Sequence, residues 1–244
     1  MSRRSLLLAV AIFLCLACGV GAVLWMLVRY EPRLYLQAAV PPGNDRHKLS
    51  EDCQRELSQL WYSVTNQDEQ KWGHRFTDKQ LNSWLAEHFV SSRLDAEFLP
   101  EGISQPRIVI EPDKLRVAFR YGKGLWSTVV SIDLRLWLVK GEPNVVAFKL
   151  VGFHAGALPI SAQSLLEGIN EKCQGHGIGI DWYRDDGYPV ALIRFQAEQE
   201  HPTLVLELIK LEQGALHIQG HTKDAASLRA FLADPFAGLR LAIE

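Results

Sequence analysis

From Leu6 to Val28 the chain has no charged side chain and no proline. A helix over that stretch, at about 1.5 Å per residue, reaches about 34 Å and so covers the roughly 30 Å hydrocarbon core of a bilayer. Net charge is also scarce: 26 Lys and Arg against 28 Asp and Glu leave −2. A nucleic-acid-binding domain normally carries a strong basic patch, so nucleic acid is not an expected partner. Disorder is excluded from the other side, because 48% of the residues are hydrophobic and only 22% are charged. No repeat at solenoid spacing is evident.

The apolar stretch has two rival readings. A cleaved signal peptide would end its short apolar region at small residues, whereas here apolar residues run on from Gly19 to Val28. A lipoprotein signal would place leucine where Cys15 stands before Leu16-Ala17-Cys18. A signal anchor is therefore expected: residues 1–5 as a cytoplasmic tail, 6–28 as a single transmembrane helix, 29–48 as a stalk and 49–244 as an exported domain. A split of that domain into two subdomains near 155–176 stays open. Charge gives the orientation little help, since Arg3 and Arg4 precede the span while Arg29 and Arg33 follow it around Glu31. The C-terminal bulk decides for export. Trp25 and Tyr30 stand where an interfacial aromatic belt belongs.

Cysteine is sparse, at four residues. Cys15 and Cys18 fall in the apolar stretch, which leaves Cys53 and Cys173 as a candidate disulfide in an oxidising compartment, or as two separately buried thiols.

Beyond the stalk the hydrophobic period is helical. Glu31 to Val40, with Pro32 in the first turn, forms a short juxtamembrane helix that Pro41-Pro42-Gly43 ends. Leu49, Cys53, Leu57, Leu60, Trp61 and Val64 make one stripe of a helix that begins at a Ser50 N-cap. Thr77 and Gln80 form a capping box, with Phe76 and Leu81 as its staple. Leu81, Trp84, Leu85, His88 and Phe89 continue that helix's buried stripe, and Asn82 lies off it.

The period then changes to two. Leu115, Val117, Phe119 and Tyr121 alternate with Arg116, Ala118 and Arg120, and a second strand alternates from Val130 to Val139. Val145 to Val151 is apolar on both faces apart from Lys149. Such a strand is either covered on both sides or holds something apolar. After the bend His154 to Pro159 a helix is expected over Ser161 to Lys172. Strands follow over Ile178 to Tyr183, Pro189 to Ala197, Thr203 to Leu211 and Ala215 to Gly220, and a closing helix over Ala225 to Ala233. Asp185-Asp186-Gly187 is a hairpin turn.

No catalytic signature emerges. Gly175-His176-Gly177-Ile178-Gly179 follows a helix and enters a strand, the reverse of a dinucleotide-binding loop. His217 and His221 lie about 13 Å apart along a strand, too far to share an ion directly. Asp181, Asp185 and Asp186 match no calcium loop. Ser161 and Ser164 lack the glycines of a nucleophile elbow. No catalytic, cofactor or metal residue is assigned.

One resemblance stands out. Phe76-Thr77 followed by Leu81-Asn82 and Leu85, Leu99-Pro100 before a strand, an alternating meander, and Gly156-Ala157-Leu158-Pro159 opening a helix resemble the membrane-anchored YpmS-like envelope proteins. More distantly, they are similar to the tubular lipid-binding (TULIP-like) superfamily. The similarity covers Phe76 to Leu165, and the strands after Cys173 depart from it. It implies a curved sheet wrapping a helix and hydrophobic-ligand binding, with no catalytic residues. The fold expected is α+β: a single N-terminal transmembrane helix, then a bent antiparallel β-meander packed on two or three helices. The function expected is that of a noncatalytic envelope protein, with a lipid or other apolar molecule, or an envelope protein, as its partner. A structural subunit of an envelope assembly is the alternative, and a hydrolase the third.

Overall fold

A computed structural model describes residues 3–66, 71–94, 99, 101–161, 166, 180–194, 203–226 and 228. Helix α1 (Arg3–Val28) is apolar all round, and its described side chains from Ile12 to Met26 are exposed. It is long and apolar enough to cross a membrane. The segment expected as a stalk carries α2 (Arg33–Gln37), preceded by Pro32, and its Tyr35 is buried. Instead of a free tether, this arm is packed against the domain.

Helix α3 (Asn44–Asn66) starts six residues ahead of Ser50. Ser50 is buried inside the helix, where it cannot serve as a cap, and Asp45 supplies the acidic first turn. Cys53 lies at the centre of the buried stripe, but Trp61 is 58% exposed and leaves it. The helix is longer than its apolar pattern, so its stripe drifts away from Trp61.

Strand β1 (Lys71–Thr77) follows and feeds α4 (Asp78–Ala86) through the expected capping box. Gln80 N donates to Thr77 Oγ1 at 3.2 Å, and Thr77 N donates to Gln80 Oε1 at 2.9 Å. A one-turn helix α5 (His88–Ser91) closes this layer. Sequence periodicity overlooked β1. Only its pairing with a strand more than a hundred residues away makes it a strand.

The meander is antiparallel throughout. It comprises β2 (Ile103–Glu111), β3 (Lys114–Tyr121), β4 (Thr128–Leu138) and β5 (Val145–Ala155), with the two-residue β6 (Leu158–Pro159) folded back on β5. Strands β7 (Ile180–Asp185) and β8 (Tyr188–Arg194) extend it, in the order β2-β3-β4-β5-β8-β7. Their two-residue turn has Asp186 and Gly187 both at positive φ, 51° and 81°, as a type I′ hairpin requires. A separate three-stranded sheet joins β1 to β10 (Ala215–Thr222) and β10 to β9 (Leu204–Glu212). The fold is thus α+β, with α3 and α4 packed on each other and against β1 and β2 while β9 leans on β2 and β4.

Two buried asparagine amides stitch these layers by standing in for backbone. Asn82 Nδ2 donates to Ile108 O and Ile108 N donates to Asn82 Oδ1, both at 2.7 Å, which ties α4 to β2. Asn82 was expected off the buried face. It lies inside because its amide completes the ladder of a strand that has no neighbour on that side. Asn144, at φ 59° in the β4–β5 turn, donates to Leu204 O at 2.5 Å and accepts from Leu206 N at 2.8 Å. Across β3 and β4, Arg116 Nε and Nη2 grip the Asp133 carboxylate at 2.5 and 2.8 Å.

The bend at Gly156 and Ala157 leads into β6. The expected helix over Ser161 to Lys172 lies outside the described residues apart from Ser161 and Leu166. The glycine-alternating loop, most of the closing helix and Cys173 also lie outside them. Cys53 is a free, wholly buried thiol. Burial, and then the Glu56 charge, push its pKa up to about 11.

Asn144→Ala removes two hydrogen bonds to the half-buried backbone at Leu204 and Leu206 and is expected to cost roughly 1–3 kcal/mol, read as a lowered urea midpoint of the full chain in detergent. Burial raises the Asp133 pKa, but the Arg116 hydrogen bonds and charge outweigh it and hold the carboxyl below its usual range. The native pKa is depressed, so the pair's stabilisation is present above about pH 4 and is lost as pH falls through the native value. Melting temperature measured from pH 7 down to 2.5 is expected to fall less steeply at the acid end in Asp133→Asn than in the wild type.

Candidate functional site

An α-helix leaves its last four carbonyls without partners inside the helix. In α1 the domain supplies partners for two of them, while Arg29 N serves Trp25 O at 3.1 Å and Tyr30 N reaches Leu27 O at 3.3 Å. Ala157 N donates to Leu27 O at 2.9 Å, and Thr128 Oγ1 donates to Val28 O at 2.5 Å. Gly156, at φ 61°, makes the approach possible: a Cβ there would lie 2.3 Å from both Leu27 O and Val28 O. Its own N–H is fixed by Val129 O at 2.7 Å. The β5–β6 turn and the start of β4 therefore form a socket around the foot of the helix.

The arm after the helix is locked in the same place. Glu31 pairs with Arg120 Nη2 at 2.6 Å, a partly exposed bridge worth about 0.5–1 kcal/mol. Tyr35 lies in the core with Ala118 and Val129, and its hydroxyl donates to Gln105 O at 3.1 Å. Arg107 stacks its guanidinium 4.0 Å over the Tyr35 ring and donates to Tyr35 O at 2.7 Å. Burial raises the Tyr35 pKa, and Arg107 and Arg120 draw it part of the way back. The Glu31 hydrogen bond holds the Arg120 pKa up.

An aromatic pair stands beside the socket. Trp126 meets Trp25 edge to face, with ring centroids 5.0 Å apart and planes at 87°. Arg29 lies 5.8 Å over the Trp25 ring, and Tyr30, next to Arg29 in sequence, and Tyr121, five residues before Trp126, are exposed. Trp126 is 77% exposed. Trp25 and Tyr30 were expected at such a level. Trp126, Thr128, Gly156 and Tyr35 were not, because no local pattern tells which distant turn receives a helix end.

Elsewhere the polar side chains neutralise one another. His217 pairs with Glu212 and His221 with Glu207, at 3.1 and 2.9 Å, so the two histidines have separate partners. Asp185 and Asp186 hold Lys149 at 2.7 and 3.3 Å, and Asp181 pairs with Arg194. The hydrogen bond from Lys149 to Asp185 keeps the lysine pKa raised. An open groove of about 670 Å³ between α3 and the α4–α5 segment holds Glu87 bonded to Arg46 at 2.8 Å and to His47 at 3.0 Å. Those two hydrogen bonds lower the Glu87 pKa, and the bond to Glu87 raises that of His47. Among the described residues no three His, Cys, Asp or Glu side chains group as a metal site. On β5, Val145, Val146, Ala147 and Leu150 are buried, while Phe148, Val151 and Phe153 are half-buried.

No family model, no curated protein and no solved structure matches the chain.

Filling the socket should undo it. Gly156→Val is expected to cost on the order of 3 kcal/mol through overlap and strain at positive φ. Limited trypsin digestion of the full chain in detergent would then cut at Arg29 and Arg33 faster than in the wild type, while the Arg107 and Arg116 sites inside the sheet stay resistant.

Proposed function

We propose that the chain is a single-pass, noncatalytic envelope protein that holds its β domain at a fixed height and attitude on the outer surface of a membrane, as a structural or docking subunit of an envelope assembly. The observation that carries this reading is the socket. A domain meant only to be tethered needs a flexible linker, whereas here Leu27 O and Val28 O are bonded into the sheet and Tyr35 is buried directly after them. The length and apolarity of α1 support the span.

The reading fits the YpmS-like resemblance in its anchor and its meander. It departs from the lipid-carrier side of that resemblance, because Val145, Val146, Ala147 and Leu150 of the strand best suited to an apolar ligand are buried. Partners are thus expected to be proteins, reached by a domain whose orientation is set from below. Crosslinking of the full chain in its own membrane, followed by mass spectrometry, is expected to yield a reproducible stoichiometric protein adduct. Recovery of an uncrosslinked protein carrying one equivalent of a tightly bound lipid would overturn the subunit reading in favour of a carrier.

A further inference from the structure

We infer that the β3–β4 turn, residues 121–128, is a second membrane contact, with Trp126 seated among the lipids of the bilayer interface beside α1. The inference rests on the reading of α1 as a span and deepens it. Trp25 stands about one helical turn before Val28, the last apolar residue of the stretch, and so lies on the hydrocarbon side of the helix end. Helical side chains lean toward the N-terminus, which carries the Trp25 ring further in that direction. Trp126 touches that ring edge to face at 5.0 Å and therefore shares its depth.

Depth alone would be weak if the turn were floppy. It is built rigidly, as a single 3-10 turn over Gly124–Trp126. Trp126 N donates to Lys123 O at 3.1 Å, and Ser127 Oγ donates to Gly124 O at 3.0 Å. Gly122, at φ 90°, is so tight that a Cβ would meet Trp126 O at 2.5 Å. A fixed turn that leaves an indole 77% exposed holds a large apolar surface outside the fold's own core. Tryptophan favours the interfacial zone because one edge is apolar and its N–H can still reach water or headgroups. The charges nearby agree. Lys123 is exposed on the same turn and Arg29 follows the helix, both suited to lipid phosphates; of the acids near them, Glu31 is already paired with Arg120, and Glu101 is exposed next to Gly102, whose carbonyl accepts from Gly122 N at 3.0 Å.

The test uses the full chain reconstituted in phosphatidylethanolamine and phosphatidylglycerol vesicles that contain a phospholipid with a diazirine near the top of its acyl chain. After irradiation and digestion, lipid adducts are expected on the last turns of α1 and on residues 121–128. Trp126→Ser is expected to lose the adducts on the turn while keeping those on α1. Adducts confined to α1 would overturn this inference and leave the span standing. No adduct on either segment would overturn both. Turn labelling that survives unchanged in Trp126→Ser would remove Trp126 from the contact. A crosslink from a photoreactive residue at 126 to a protein, with none to lipid, would assign the turn to a protein partner and also overturn the inference.

Discussion

Two backbone carbonyls at the end of α1 determine how the rest of the molecule is placed. Leu27 O and Val28 O are accepted into the β4 and β6 ends of the sheet through the Ala157 amide and the Thr128 hydroxyl. Each bond alone is worth about 1 kcal/mol; Leu27 O also accepts from Tyr30 N at 3.3 Å, whereas Val28 O is held by the Thr128 hydroxyl. The reading of α1 as a span adds a reason for these bonds. A helix end that emerges at the interface satisfies its last carbonyls either with water or with protein, and here the protein has a residue without a Cβ at the point of closest approach.

From that junction outward the constraints come in rings. The Glu31–Arg120 pair and the Tyr35–Arg107 stack fix the arm within a few residues of the helix end. Asn82 and Asn144 then connect the helical layer and the three-stranded sheet to the meander by amides that copy the hydrogen bonding of a strand. The Trp25–Trp126 pair adds a lateral stop on the same side.

Much of this fold was legible in the residues themselves. The uncharged N-terminal stretch, the Thr77–Gln80 capping box, the alternating meander and the Asp186-Gly187 hairpin depend on neighbours within a few positions, and local chemistry determines them. What stayed hidden depends on distant pairing. Strand β1 is a strand because β10 lies beside it, and Trp72 packs over Gly220 of that partner. Asn82 reads as a polar helix residue until Ile108 meets it. The arm after α1 has a linker's composition, with prolines and a glycine, and its burial depends on Tyr35 reaching Arg107. The candidate site was legible by half: Trp25 and Tyr30 signal an interface, while the glycine and threonine that receive the helix end carry no signal of their own.

The most direct measurement is hydrogen exchange at the Ala157 amide in the full chain reconstituted in lipid nanodiscs. With Leu27 O as its acceptor, that amide is expected to be protected well beyond an open turn. It should lose the protection in a chain that begins after residue 30, while the neighbouring Gly156 amide, bonded to Val129 O, keeps its own. Exchange of Ala157 at the rate of an open turn in the full chain would mean that the helix end and the sheet are not joined, and the account of a domain fixed to its anchor would be wrong.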